Sequence, residues 1–552
     1  MRNTRLHKIT ALFLVLLMLL TLAACGGDDA GTGDESGPIQ VTMGRQTTAN
    51  PKFPDGDNYE DNAYTRMAEV ELGIDIIDMF EAQGGDDYDR QVSLILSGGD
   101  MPDMMKVSGK SEVTELYESG MIADLTDVYN KYASDRVKAT YDSFGGRALD
   151  YITYDGQLMA LPATQPDPGT SMFWIRQDWV DALGMTVDAD GDRCVSLDEV
   201  KEIAKAFLDG NPENAQNPVG MAFMPDLTGG TSDQTNSINA IAYALGAYPR
   251  QWYYEGSELV YGSTTPEMKD ALSLVRQWYE EGVVDHQLGT RTWDDITSLL
   301  TNGQCGIVFG SWHVADWLLN NVYSLDSDAV FTPYAVAGAD GKVNCTHVNA
   351  AGEFIVVNAK FKHPEIAIQI MNLFYDKLDF DPSYLEKYPE VAQYKLDGVD
   401  GTARPFNIEV TANTALLDDY ASVRSALAGE ISKDDLPSVE CQLNYDALMA
   451  YEQNGSTEVF DWCRGHSRGK GVDLLKYLTD NNLYNWITPV FPENTETMNA
   501  RWANLQTLEN ESFIKMVTGA ADIESGFDAF VSQWNEQGGQ TIIGEIQEQL
   551  AQ

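Results

Sequence analysis

Positive charge is what this sequence has least of for its size. Against 85 aspartates and glutamates stand 36 lysines and arginines in 552 residues, a formal net charge of −49. Nucleic-acid binding draws on basic surface that displaces counterions, and no broad surface of that kind can be assembled here. Polyanionic ligands are disfavoured on the same ground, more mildly, because one local basic pocket can still serve them. Histidine is scarce at six scattered residues, and the HExxH, Walker A and GxGxxG patterns are missing. Cysteine is scarce as well. Beyond Cys25 there are Cys194, Cys305, Cys345, Cys441 and Cys463, far apart and without CxxC spacing. Neither a zinc site nor a dense disulfide framework follows, and the odd count leaves at least one thiol free or paired between chains. After the first 25 residues no apolar run is long enough to cross a bilayer. What is present is 43% hydrophobic and 10% aromatic residues, ample for a core over a length that suits two to four domains.

The N-terminus reads as an address. Arg2, Arg5 and Lys8 precede a mainly apolar run from Ile9 to Leu22, short for a membrane span and right for a signal peptide. It closes on Leu22-Ala23-Ala24-Cys25-Gly26, which resembles the bacterial lipobox. There the cysteine is acylated, palmitate included, and becomes the mature N-terminus. Residues 1–24 are therefore expected to be a lipoprotein signal peptide. Residues 25–38, rich in glycine and acid, are expected to be a flexible tether. The protein is placed at the extracellular face of a bacterial cell membrane, held by a lipid anchor at Cys25.

Along the mature chain, helical and strand-like segments alternate. Residues 41–43, 74–77, 104–107, 305–309 and 354–358 have strand character; 62–72, 88–97, 273–281, 364–375, 497–517 and 527–551 have helical character. This alternation predicts α/β layers with a largely parallel sheet.

Five segments then carry a resemblance in their order: LSGGDMPDM at 96–104, DGQLMALP at 155–162, FWIRQDWVDALG at 173–184, STTPEMKDALSLVRQWYEEGVVD at 263–285 and NGQCGIVFGSW at 302–312. Behind a lipobox, they resemble the extracellular solute-binding lipoproteins of carbohydrate ABC importers, family 1. The resemblance implies a two-lobe periplasmic-binding-protein-like α/β fold with hinge crossovers and a ligand cleft between the lobes. It puts the first lobe at 39–162 and 335–378 and the second at 163–334 and 379–552. It also implies a monomeric receptor that captures a carbohydrate, expected to be an oligosaccharide, and delivers it to ABC permease subunits in the membrane, without enzymatic activity.

One loop carries its own chemistry. Asp188, Asp190, Asp192, Cys194, Ser196 and Glu199 fall at ligand positions of an EF-hand-like calcium loop. A hard cation wants six or seven oxygens, and alternate residues of a tight loop turn carboxylates inward. Cys194 offers only its backbone carbonyl. Arg193 departs from the pattern by standing where the loop normally turns on glycine. Ser196-Leu-Asp-Glu199 is also a capping box for the helix that follows, and the two roles are compatible. Structural Ca2+ is expected here.

Sugar binding needs flat aromatic faces and planar polar groups. Trp312, in the loop that the family turns toward its cleft, is the leading stacking residue, with His313 beside it as a hydroxyl partner. Trp174 and Arg176 share a strand face, although an Arg176–Asp178 brace fits equally well. Gln165 follows the first crossover, Arg45 the first strand, and Asn62 opens the next helix, near where α/β clefts gather ligands. Glu353 precedes a buried strand, and Trp252 offers a second platform. The basic cluster Arg464, His466, Arg468 and Lys470 reads as a solvated loop, or else as a contact for the permease or an anionic ligand. The rival readings are a surface glycosidase using paired carboxylates, a two-lobe sensor subunit, and a binder of peptides or metal chelates.

Overall fold

The structure is a computed structural model that describes residues 37–229, 234–397, 399, 401–491 and 494–551. The signal peptide and Cys25 lie outside the described residues. The strands that build the architecture are β1 (Ile39–Thr47), β2 (Ile74–Gln83), β3 (Met104–Val107), β4 (Leu161–Thr164), β5 (Met172–Arg176), β6 (Cys194–Val195), β7 (Ile307–Gly310), β8 (Phe331–Val336), β9 (Val343–Thr346), β10 (Ala351–Val357) and β11 (Tyr484–Ile487).

The first sheet has the order β2-β1-β3-β10-β4, with β2, β1 and β3 parallel and β10 antiparallel to both of its neighbours. Burial on β1 alternates, turning Val41, Met43 and Arg45 inward, whereas all four residues of the central β3 are buried. Helices fill the connections. Ala63–Leu72 starts on a capping box from Asn62 and Thr65, and Asp86–Gly98 stops at Gly99 in the left-handed conformation, as the Gly98-Gly99 pair predicts. The second sheet, β7-β5-β8-β6, runs β5 antiparallel to both β7 and β8. Two separate hydrophobic cores belong to these sheets.

The cores divide the chain differently from the expected lobe boundaries. Val391, Tyr394, Phe406 and Ile408 pack into the first core, so the described residues between 379 and 410 belong with the first lobe and not the second. Tyr375 ties this segment down by donating its hydroxyl to the carbonyls of Phe406 and Ile408, at 3.2 and 2.8 Å. Conversely, Ala335, Val336 and Val343 lie in the second core. These contacts join residues distant in sequence, which motif spacing does not register.

Three crossovers link the lobes and are stitched to one another. Thr164 N donates to Glu409 O (2.8 Å), Gln165 N to Ala350 O (3.1 Å) and Thr411 N to Thr164 Oγ1 (2.7 Å). Asp167 is their common knot. Its carboxylate accepts from Arg147 Nη2 (2.8 Å), His347 Nδ1 (2.8 Å), Val348 N (2.9 Å) and Asn413 Nδ2 (3.1 Å). Burial works to raise the Asp167 pKa. The His347 and Val348 hydrogen bonds and the Arg147 charge outweigh it and hold the group below the ordinary carboxylate range. The pair β9–β11 extends the second crossover, and Trp486 on β11 lies flat on His347 with centroids 4.5 Å apart.

Candidate functional site

In α/β folds, ligands gather beyond the carboxyl ends of strands. In the first lobe those ends present Gln46, Lys106 and Gln165, and β10 enters the sheet there with Glu353 as its third residue, within the strand and not before it. Lys106 is 5% exposed and donates to Glu353 Oε1 at 2.5 Å, so a cation and a half-exposed carboxylate stand side by side. In the second lobe, β7 ends on Gly310 and continues into Ser311, Trp312 and His313. Gly310 is registered against Met172, the first residue after the crossover that leaves β4. The strand ends carrying Gln165 and Trp312 therefore open onto one crossover.

Trp312 is half-buried. The Arg468 guanidinium lies 4.4 Å from its ring centroid, and its backbone packs so closely on Gly471 that a Cβ there would meet the Trp312 carbonyl oxygen at 2.5 Å. His313 shares a hydrogen bond between Nδ1 and Ser311 Oγ at 2.9 Å. Gln165 is exposed.

Beside the crossovers is a second feature, a pocket of about 280 Å3 shared by both lobes. Tyr151 enters from the first lobe, Asn349 from a crossover, and Arg250, Trp252, Phe491 and Trp502 from the second. Tyr151 Oη bonds the Phe491 carbonyl across the lobes at 3.2 Å. Trp252 lines this pocket only marginally: it is 6% exposed and packed among Tyr261, Trp502 and Trp534.

Four expected ligand residues, Trp174, Arg176, Asn62 and Arg45, are buried in structural contacts and are corrected here. Trp174 is fully buried, and its Nε1 donates to Ser311 O at 3.2 Å, so it supports the Trp312 loop from beneath. Arg176 lies four residues along β5 from the crossover, with its guanidinium held by Asp178 (2.6 Å), Asp326 (2.7 Å) and Glu213 (3.2 Å). Asn62 is fully buried with its amide spent. Oδ1 caps Tyr64 and Thr65, and Nδ2 donates to Asn58, Tyr59 and Ala403 carbonyls. Asn62→Ala is expected to cost about 1–2 kcal/mol of stability through loss of that cap, read from a denaturant titration. Arg45 is 2% exposed, pairs with Asp78 at 3.0 Å and donates to Arg404 O.

The basic cluster 464–470 is not a solvated loop. It lies on consecutive helical segments, Val459–His466 and Ser467–Val472. His466 is fully buried: burial and the Lys470 charge push its pKa down, and its Nε2 accepts from Phe331 N at 3.2 Å. Gly465-His466-Ser467-Arg468-Gly469 also has the GxSxG spacing of a serine-hydrolase elbow. That motif needs a strand–turn–helix and an exposed serine. Here Ser467 is buried within helix and bonded to Asp316 Oδ1 and Cys463 O, each at 2.9 Å.

In the acidic loop, carboxylate oxygens of Asp188, Asp190 and Asp192 lie within 4.8 Å of one another. Arg193 adopts φ +63°, supplying the left-handed turn that glycine normally provides, and its N donates to Asp188 Oδ1 at 3.0 Å. Burial and the neighbouring Asp192 and Asp190 charges raise the Asp188 pKa, a strain that a bound cation would relieve. Two of the other expected ligands are engaged in the capping box, where Glu199 Oε2 accepts from Ser196 N and Oγ, both at 2.8 Å. Cys194, registered against Ala335 between β6 and β8, donates its backbone N to Asp192 Oδ1 at 2.8 Å.

The lining residues that sequence reasoning did not single out are Tyr151, Lys106, Phe491 and Trp502, while Arg468 was read only as part of the basic cluster and not as a neighbour of Trp312. Tyr151 stands just before the DGQLMALP segment, but no spacing marks it as a site residue.

Comparison with known proteins gives a consistent result. The profile of the family described as bacterial extracellular solute-binding protein matches residues 55–377. The polygalacturonan/rhamnogalacturonan-binding protein YtcQ of Bacillus subtilis is 22% identical over 565 residues, covering 99% of each chain. Lipoprotein LipO of the same organism is 19% identical over 467 residues, covering 83% of each. Among solved structures, an HMO-binding, ABC-transporter-associated solute-binding protein from Bifidobacterium longum infantis superposes with a TM-score of 0.55 at 14% identity. That superposition covers 93% of this chain and 98% of the other.

Proposed function

The chain belongs to the bacterial extracellular solute-binding protein family, and from that premise we propose that it is the receptor of an ABC importer, capturing an oligosaccharide between its lobes. The observation that carries the reading is the meeting of two strand ends at one crossover, with Trp312 and His313 on one side and Gln165 and the Lys106–Glu353 pair on the other. An aromatic face suits the C–H surface of a sugar, and an adjacent donor and acceptor suit neighbouring hydroxyls. The full-length resemblance to a polysaccharide-binding relative supports the ligand class.

Closure is a population shift: a ligand that touches both lobes favours the closed state by its differential affinity. ATP hydrolysis takes place in other chains, and the receptor presents its closed form to the permease as a monomer. Acylation at Cys25 holds it outside the membrane, a reading supported by the lipoprotein relative. Calcium at Asp188, Asp190 and Asp192 is part of the same proposal, with a structural role at the edge of the second sheet. The family is one of binding proteins, which weighs against the glycosidase reading.

Thermal-shift screening of the mature chain against an oligosaccharide panel tests this. A ligand at a hundred times its Kd stabilises the native state by about 2.7 kcal/mol, and Trp312→Ala is expected to weaken binding about tenfold or more. Recovery of shortened sugar would restore the glycosidase, and silence across the panel would bring peptides and other solutes forward.

A further inference from the structure

We propose that the pocket shared by the two lobes is a second saccharide subsite, filled by the far end of an oligosaccharide whose leading ring stacks on Trp312. The subsite rests on the oligosaccharide-receptor reading and adds a chain-length preference to it.

Its platform is Trp502 and not Trp252, the second platform expected from the sequence. Trp502 stands on the helix Glu496–Val517, is half-buried and lines the pocket. Its inner neighbours fix it in place. The Trp252 centroid lies 6.2 Å away, and Tyr261 meets the ring edge-on at 5.7 Å while lying flat on Trp534 at 4.8 Å. A ring held this firmly offers the C–H side of a sugar a surface that loses little freedom on binding. Tyr151 comes from the first lobe and is fixed as well. Phe354 stacks on its ring at 6.3 Å, the Lys110 ammonium lies 4.6 Å from its centroid, and its hydroxyl donates to the Phe491 carbonyl at 3.2 Å.

Gln251, Asn349 and Asn494 line the same pocket, and each side-chain amide combines donors with an acceptor in one plane, as paired sugar hydroxyls require. Arg250 at the wall is held by Asp226 at 2.7 Å and Glu509 at 2.9 Å and keeps its place when a ligand enters. The volume of about 280 Å3 is near the lower end for ligand pockets, about 300–1,000 Å3, and has room for the end of a chain and not the whole of it. Two observations join this pocket to the strand ends. Asn349 immediately precedes Ala350, whose carbonyl accepts from Gln165 N at 3.1 Å, so both share one crossover. Neither Trp312 nor Gln165 lines the pocket, so a ring stacked on Trp312 leaves it to the rings that follow. A chain long enough to fill it gains contacts with both lobes, and its length thereby enters the closure equilibrium.

Titration calorimetry on the full mature chain tests this with galacturono-, gluco-, xylo- and fructo-oligosaccharide ladders of two to six rings. The expected result is an affinity that climbs with length in the ladder that binds and then levels off. Trp502→Ala should weaken the longest members about tenfold, equivalent to about 1.4 kcal/mol, and leave the shortest unchanged, whereas Trp312→Ala weakens every length. If Trp502→Ala melts well below the parent, the double variant Gln251→Ala with Asn494→Ala spares the aromatic cluster and takes its place, with the same pattern expected. An affinity independent of length, or a variant whose losses are nil or fall equally on short and long sugars, overturns the subsite and leaves the receptor reading standing. Failure of all four ladders to bind removes the oligosaccharide reading and the subsite with it.

Discussion

Asp167→Ala is expected to lower stability by about 3–5 kcal/mol, because it breaks a buried pair and leaves the other partner uncompensated. The carboxylate is 6% exposed and joins Arg147 to the residues of two later crossovers, His347, Val348 and Asn413. Its removal takes the carboxylate from Arg147 Nη2 and the Asn413 amide at the point where the lobes are joined, leaving the guanidinium charge with only the neutral carbonyls of Phe144 and Val348. Denaturant unfolding measures the loss, and a change below about 1 kcal/mol would show that the crossovers do not depend on this knot. The pH dependence has a definite sign. The folded pKa lies below the ordinary range, so the unfolded chain takes up a proton first as pH falls. The stabilisation is therefore complete above the ordinary carboxylate pKa near 3.9 and disappears as pH drops through the folded value. The difference between the parent and Asp167→Asn should shrink over that acidic window.

Calcium is expected to raise the melting temperature and a chelator to lower it. At a hundredfold excess over Kd the linkage amounts to about 2.7 kcal/mol. Three carboxylates within 4.8 Å repel one another, and a divalent ion converts that repulsion into attraction. Glu199 is the residue to watch. It caps the helix Leu197–Gly210 through Ser196, and bidentate ligation would draw its carboxylate from that cap toward the ion. Asp188→Asn combined with Asp190→Asn should abolish the calcium response, whereas Ser196→Ala should weaken the cap and keep much of it. A melting temperature indifferent to both calcium and chelator would leave the loop as a turn and a cap alone.

Much of the local structure was legible before any coordinates. The helix opening near Asn62 and the stop at Gly98-Gly99 follow from short-range hydrogen bonding and from glycine's access to the left-handed region. The buried run 307–310 follows from continuous apolar character, whereas Lys106 interrupts the run 104–107 and is buried there only through its pairing with Glu353. Arg193 was the exception. Its place in the acidic loop looked unfavourable, yet the chain holds the left-handed turn there without glycine, because the Asp188 carboxylate accepts from its backbone N–H.

The site itself was less legible. Trp174 and Trp312 are indistinguishable by residue type, and only sheet register shows one beneath the other. Cation placement misled in the same way. Arg464, His466, Arg468 and Lys470 look solvated as a string, but helical winding buries His466 and half-buries the other three against their acids and carbonyls. Period, caps, composition and charge were set by neighbours within a few residues, so the sequence by itself determined the α/β alternation and the acidic loop. Which acid neutralises which base, where the chain last crosses between lobes, and which of the two tryptophans is buried beneath the other were decided only by tertiary structure. Each of those depends on contacts between residues tens to hundreds of positions apart, where burial and pairing outweigh any local preference.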